Sequence, residues 1–164
     1  MSPRAVFVGP MAAGKTKVGK RVARHLGLGF LDTDQVIVAR HGAIADIFRD
    51  RGEPAFRALE REVVVEALRS DGIVSLGGGA VLDTDTRADL RDETVVFLHA
   101  PAHVVAGRLS REAGKRPLVA GGIADWERIF AERRPIYDAL ADHTVDTSTG
   151  RFDDIARGIA AWLT

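Results

Sequence analysis

The chain of 164 residues contains no cysteine, no asparagine and no net charge. Without cysteine there are no disulfides, no thiol nucleophile and no thiolate metal site. Without asparagine the NKxD motif that reads guanine is impossible, which weakens any GTPase assignment. Lys+Arg and Asp+Glu balance at 23 each, which argues against bulk binding to nucleic acid or to an anionic membrane surface. No apolar run approaches membrane-spanning length, and the first residues read as a strand, not as a secretion signal. The expected compartment is therefore the cytoplasm. His25, His41, His99, His103 and His143 fall in no metal-ligand spacing and read as surface or structural. Aromatic residues make up 6% of the chain, and Trp126, Trp162 and the phenylalanines read as core. The length suits one domain, residues 1–164, with its own core, and a monomer is the expected state.

What is present is concentrated near the start. Gly9-Pro10-Met11-Ala12-Ala13-Gly14-Lys15-Thr16 fits the pattern G-x-x-x-x-G-K-[ST]. In that pattern the glycines let backbone N–H groups turn toward a polyphosphate. The lysine reaches the β- and γ-phosphates, and the hydroxyl ligates Mg²⁺. Ala5–Val8 precedes it as a short apolar run. Val18, Val22 and Leu26 follow at helical spacing, so the loop joins a strand to a helix N-terminus, where anions are favoured.

Strand and helix patterns alternate along the rest of the chain. Strands are expected at Ala5–Val8, Gly29–Asp32, Ile73–Leu76, Thr94–Leu98 and Thr144–Asp146, with a last helix over Phe152–Leu163. Such alternation predicts an α/β fold in three layers, α/β/α, around a five-stranded parallel sheet, with ligands beyond the carboxyl ends of the strands. Gly9–Thr16, Asp32–Asp34, Gly77–Gly79 and His99–Pro101 follow strands and are the segments to inspect. Glu112–Gly122, with three glycines, a proline and two cations, breaks the alternation. It is either an ordinary surface loop or a mobile lid over bound phosphates, and the phosphate loop favours the lid.

Two helices carry charges in apolar stripes. In a helix starting near Pro54, the stripe Phe56, Leu59, Val63, Val64, Ala67, Leu68 contains Glu60, three residues after Arg57. Either the two form a structural ion pair, or Glu60 orients Arg57 to grip a ligand carboxylate through two parallel bonds. In a helix from about Asp125 to Leu140, Arg133 sits among Trp126, Ile129, Phe130, Ile136, Tyr137 and Leu140. A cation there either snorkels to solvent or meets an anion, and with Arg57 as a second case an anionic ligand between the helices is favoured. Arg134 is expected in solvent.

Asp32 and Asp34 are spaced i, i+2, which puts both on one side while the strand lasts. Asp34 could cap the next helix. Beside a phosphate loop, one carboxylate can instead hold Mg²⁺ and the other accept the proton of an attacking hydroxyl. Gly77-Gly78-Gly79 suggests a backbone that approaches a ligand closely.

Taken in order, these segments resemble the shikimate kinase family, nucleoside-monophosphate-kinase-like proteins of the P-loop NTPase type. Besides the phosphate loop, the resemblance rests on Phe30–Asp34, Ala43–Phe48, Gly52–Glu60, Ser75–Ala80, Arg116-Pro117-Leu118 and Arg133–Tyr137. It implies transfer of the ATP γ-phosphoryl to the 3-hydroxyl of shikimate, in the pathway to chorismate and the aromatic amino acids. It also implies a lid at about residues 112–124 and substrate-binding helices at about 34–61. By matched position, Ala12, Ala13, Gly14, Lys15, Thr16 and Lys17 hold ATP, and Thr16 and Asp32 serve Mg²⁺. Asp34 binds the substrate hydroxyls and is the base. Arg57, Arg133, Gly78 and Gly79 hold shikimate. Lys15 and Arg116 stabilise the transferring group, and Arg108 and Arg151 flank adenine. One departure stands out: Ala12 occupies a position where the family usually has glycine, which a methyl group tolerates only at negative φ. The rivals are another small-molecule kinase acting on an anionic hydroxylated substrate, and a non-catalytic ATP-binding module.

Overall fold

A computed structural model describes residues 2–111 and 121–164. Most of the expected lid, and Arg116 with it, lies outside the described residues. Strand β1 (Ala5–Val8) is followed by α1 (Lys15–Leu26), β2 (Phe30–Asp32), α2 (Thr33–His41), α3 (Ile44–Arg51) and α4 (Glu53–Ala67). Then come β3 (Ile73–Ser75), a 3₁₀ turn (Ala80–Leu82), α5 (Thr84–Leu90), β4 (Val95–His99) and α6 (Ala102–Arg111). The chain closes with α7 (Gly122–Leu140), β5 (His143–Asp146) and α8 (Phe152–Leu163). The five strands form one sheet in the order β2-β3-β1-β4-β5, and every pairing is parallel.

The four residues of β1 show how the layers arise. All are buried, as expected of a central parallel strand covered on both faces. Alternate side chains leave a strand on opposite faces. Ala5 and Phe7 pack with Val18, Val22, Ala156 and Ile159 of α1 and α8. Val6 and Val8 pack with Val64, Ala67 and Tyr137 of α4 and α7. Because β1 lies between β3 and β4, the loop that follows it opens at the middle of the sheet's carboxyl edge. The chain passes to one side of β1 to make β2 and β3, then crosses to make β4, and this reversal leaves a crevice there.

The observed strand limits differ from the expected ones by a residue at most. The Leu76 N–H still reaches the Phe7 carbonyl at 3.0 Å, but the chain then leaves the ladder for Gly77. Helix α7 starts three residues earlier than expected, so that Asp125 falls in its first turn, where a carboxylate suits the helix dipole. Trp162 is not core: it is 43% exposed and stacks on His143 with ring centroids 4.5 Å apart. It belongs to the last turn of α8 and pairs there with a residue of edge strand β5. Among the described residues no helix is long and apolar enough to cross a membrane.

Gly72, just before β3, lies against the backbone of Gly29, and a Cβ there would stand 2.8 Å from the Gly29 carbonyl carbon. Backbone cannot yield as a side chain does. Gly72→Ala should therefore lower unfolding stability by about 1–3 kcal/mol, read from the urea midpoint at unchanged m-value.

Candidate functional site

The loop between β1 and α1 is held by its carbonyls. Lys15 Nζ donates to the Gly9 and Pro10 carbonyls at 2.8 and 2.9 Å. Trp126 Nε1 donates to the Met11 carbonyl at 2.9 Å. Arg108 Nη1 donates to that of Ala12 at 2.8 Å, and Thr147 Oγ1 to that of Ala13 at 2.7 Å. With five consecutive carbonyls occupied, the negative ends of these peptide dipoles are already engaged by donors of the protein. Gly14, at φ 93, is the N-cap residue of α1, whose first turn has no side-chain cap and no acidic residue. Helix geometry gives the N–H groups of a first turn no partner within the helix, and with the helix dipole they make an anion site. Gly9, at φ 145, passes so close to the Leu98 carbonyl that a side chain would collide with it.

Ala12 corrects the expectation of a negative φ: its φ is 63. The left-handed region costs an L-residue on the order of 1 kcal/mol. Two contacts offset that cost. The adjoining Met11 carbonyl is tied to Trp126, and the buried Ala12 methyl packs with Ala100, Val105 and Trp126.

At the end of β2, Thr16 Oγ1 donates to Asp32 Oδ2 at 2.6 Å. The other oxygen, Oδ1, accepts from the N–H groups of Asp34 and Gln35 at 2.9 and 3.2 Å. The helix cap is thus Asp32, not Asp34. Helix α2 begins at Thr33, so the two carboxylates do not share a strand side as the i, i+2 spacing suggested. Asp32 turns to Thr16, while Asp34 lies against Gly77.

The three glycines after β3 each adjoin a charged side chain. A Cβ on Gly77 would stand 2.5 Å from Asp34 Oδ1, one on Gly78 3.6 Å from Arg133 Nη1, and one on Gly79 2.6 Å from Arg57 Nη1. The absence of side chains at 77 and 79 makes room for Asp34 and Arg57, a reason beyond the close ligand approach that the sequence suggested. Thr33 Oγ1 accepts from the Gly77 N–H at 3.2 Å, and Tyr137 Oη donates to the Gly78 carbonyl at 2.5 Å. Burial pushes the Tyr137 phenol up to about 12, so it stays a neutral donor.

Arg57 and Glu60 do pair, at 2.7 Å, and Glu60 is only 3% exposed. Burial is the dominant influence on Glu60 and pushes its carboxyl up to about 7, against the opposing pull of Arg57. Arg134 is exposed to solvent, as expected. At the surface it pairs with Asp138 at 3.6 Å and lies across the ring of Phe130 at 5.4 Å.

One continuous cavity of about 1430 Å³ is lined by Pro10, Met11, Ala12, Gly14, Lys15 and Thr16 of the phosphate loop, though not by the buried Ala13, and by Lys17, Asp32, Asp34, Arg57, Gly78, Gly79, Arg108 and Arg133. Arg151 does not line it; its neighbour Phe152 does, with the Arg108 guanidinium 5.1 Å from the ring centre. Trp126, Tyr137 and Thr147 touch the site and were missed as site residues. Thr147 follows β5, so the strand-end rule points to it as well. The two aromatic residues looked like ordinary members of a helical stripe, and only their polar atoms distinguish them.

Glu60 gives a signed pH prediction. Its folded value lies above its ordinary 4.5, so between about pH 4.5 and 7 the folded state binds more protons and stability falls as pH rises. The loss is complete above about 7 and is on the order of 3 kcal/mol. Glu60→Gln should flatten this slope in denaturant titrations at successive pH values. An unchanged slope would show that Glu60 ionises normally.

Comparison with known proteins completes the picture. The family model described as shikimate kinase matches residues 11–164. The shikimate kinase of Thermobifida fusca is 46% identical over 163 residues, covering 98% of this chain and 95% of that protein. That of Mycobacterium tuberculosis is 42% identical over 169 residues, covering 99% and 94%. The solved structure of Acinetobacter baumannii shikimate kinase in complex with shikimate is similar at TM-score 0.91 and 33% identity, covering 99% and 93%. With a matching order of strands, a phosphate loop and a second set of charged groups across one cavity, the chain belongs to the shikimate kinase family.

Proposed function

We propose that the protein transfers the γ-phosphoryl group of ATP to the 3-hydroxyl of shikimate, giving shikimate 3-phosphate and ADP. The observation that carries this reading is the single cavity shared by an anion-binding loop and the trio Asp34, Arg57 and Arg133. A binding module for ATP alone has no use for that trio, and a neutral polyol would leave both arginines without a ligand charge.

On the nucleotide side, the amides of Ala12–Thr16 and the Lys15 ammonium receive the phosphates, with Lys17 beside them. Arg108, backed by Phe152, presents its guanidinium plane to adenine. On the acceptor side, Arg57, held by Glu60, and Arg133 grip the carboxylate through paired N–H bonds, with the backbone at Gly78 and Gly79 beneath the ring. Asp34 accepts hydrogen bonds from the hydroxyls and takes the proton of the attacking one. The oxygen–phosphorus bond forms as the bond from the γ-phosphorus to the bridging oxygen breaks, and ADP leaves with that electron pair.

Thr16 and Asp32 present hard oxygen donors to the same point, which suits magnesium. Among the described residues no three His, Cys, Asp or Glu cluster as a metal cage, so these two residues and the phosphates would share the ion with water. Mg²⁺ held there would supply charge neutralisation to the phosphates. The protein's own contribution is placement and preorganised charge.

The test is ADP release with and without shikimate. Stimulation by shikimate is expected; equal release in both would overturn the reading. Asp34→Asn should keep MgADP affinity while lowering kcat by about 10²–10⁴-fold. Near-normal turnover would remove Asp34 as the base. Arg133→Lys should raise KM for shikimate about tenfold or more, because a point charge cannot replace a fork. A rise in KM for ATP instead would misplace the carboxylate pocket.

A further inference from the structure

The Met11 carbonyl and the Ala12 N–H are two ends of one rigid peptide plane. Rotating that plane changes ψ of Met11 and φ of Ala12 together. Its present orientation gives Ala12 a φ of 63, which the alanine side chain itself disfavours. A flip would relieve Ala12 and exchange the two ends of the plane. A carbonyl would then point where the N–H now points, and a loop that attracts an anion would repel it there.

Trp126 stands against that flip. Its indole Nε1 donates to the Met11 carbonyl at 2.9 Å. The ring itself is held: Trp126 is 4% exposed, packs with Ala12, Ala100 and Val105, and lies 5.2 Å from the Phe130 ring centre. Arg108 and Thr147 hold the next two carbonyls, but neither bond acts on the plane that sets φ of Ala12.

We propose that Trp126 is a positioning residue for the nucleotide, holding the Met11–Ala12 peptide in its binding orientation, and that Ala12 is what makes the loop depend on it. The inference rests on the reading of this loop as the nucleotide site. Its distinctive consequence is coupling. With glycine at position 12 the positive φ carries no penalty, and the bond from Trp126 matters less.

The test compares the unaltered chain with W126F, A12G and the A12G/W126F double variant. Kd for MgADP is measured calorimetrically without acceptor, KM for ATP and for shikimate by ADP release, and folding by thermal melt. W126F loses the donor and should raise both Kd for MgADP and KM for ATP by about fivefold, the equivalent of one hydrogen bond. KM for shikimate should change by less than about twofold, since its groups do not touch this peptide. In the A12G background the same W126F change should cost at most half as much in MgADP affinity. Benzothienylalanine at position 126 exchanges the indole N–H for sulfur within the same outline, and serves where W126F fails to fold. MgADP affinity insensitive to loss of the N–H, an equal loss in both backgrounds, or equal rises in both KM values would overturn the proposal. An unaltered chain that binds MgADP yet does not phosphorylate shikimate would overturn the proposed function and leave this inference open to the same measurement.

Discussion

A loop receives a polyphosphate best when its own carbonyls are already engaged by donors of the protein, and the rest of this site depends on that condition. The carbonyls of residues 9–13 all accept hydrogen bonds, from Lys15, Trp126, Arg108 and Thr147. The last three donors lie 115, 96 and 134 residues away in sequence from the carbonyls they hold. The loop is therefore shaped by α6, α7 and the turn after β5 as much as by its own glycines. Orientation fixed before the ligand arrives is what makes such dipoles effective, because they need not reorganise as charge shifts.

The acceptor half obeys a matching constraint of space. Gly77 and Gly79 are bare where Asp34 and Arg57 approach, and the carbonyl of Gly78 is held by the buried phenol of Tyr137. Glu60 anchors Arg57 at the expense of burying a carboxyl that burial pushes up to about 7. This is a costly arrangement for stability alone, and it becomes intelligible where an arginine must be aimed. The two halves meet because β1 and β3 are neighbours, so their following loops emerge side by side at the carboxyl edge of the sheet.

Much of this was legible in the chain. Ala5–Val8 was readable as a strand because four consecutive apolar residues suit a strand covered on both faces. Arg133 was noticeable because a cation amid Ile129, Phe130 and Tyr137 violates the helical stripe. Other features were hidden for physical reasons. The cap of α2 passed from Asp34 to Asp32 because the chain turns helical at Thr33, a boundary that propensity does not fix to a single residue. Trp162 looked like core because amphipathic spacing cannot say whether the end of a helix overhangs its sheet. Trp126 looked like core and is core; its indole N–H gained a role only because Met11 lies beside it.

The sequence by itself determined the loop, the alternation of strands and helices that makes an α/β chain, the pairing of Arg57 with Glu60 and the family that the whole resembles. These rest on short-range periodicity and on motifs whose parts are adjacent in the chain. Only the tertiary structure decided the sign of φ at Ala12. That sign is set by the orientation of one peptide plane, and a tryptophan more than a hundred residues away holds it. Local chemistry favours negative φ for an alanine, and a long-range hydrogen bond with surrounding packing is what opposes that preference here.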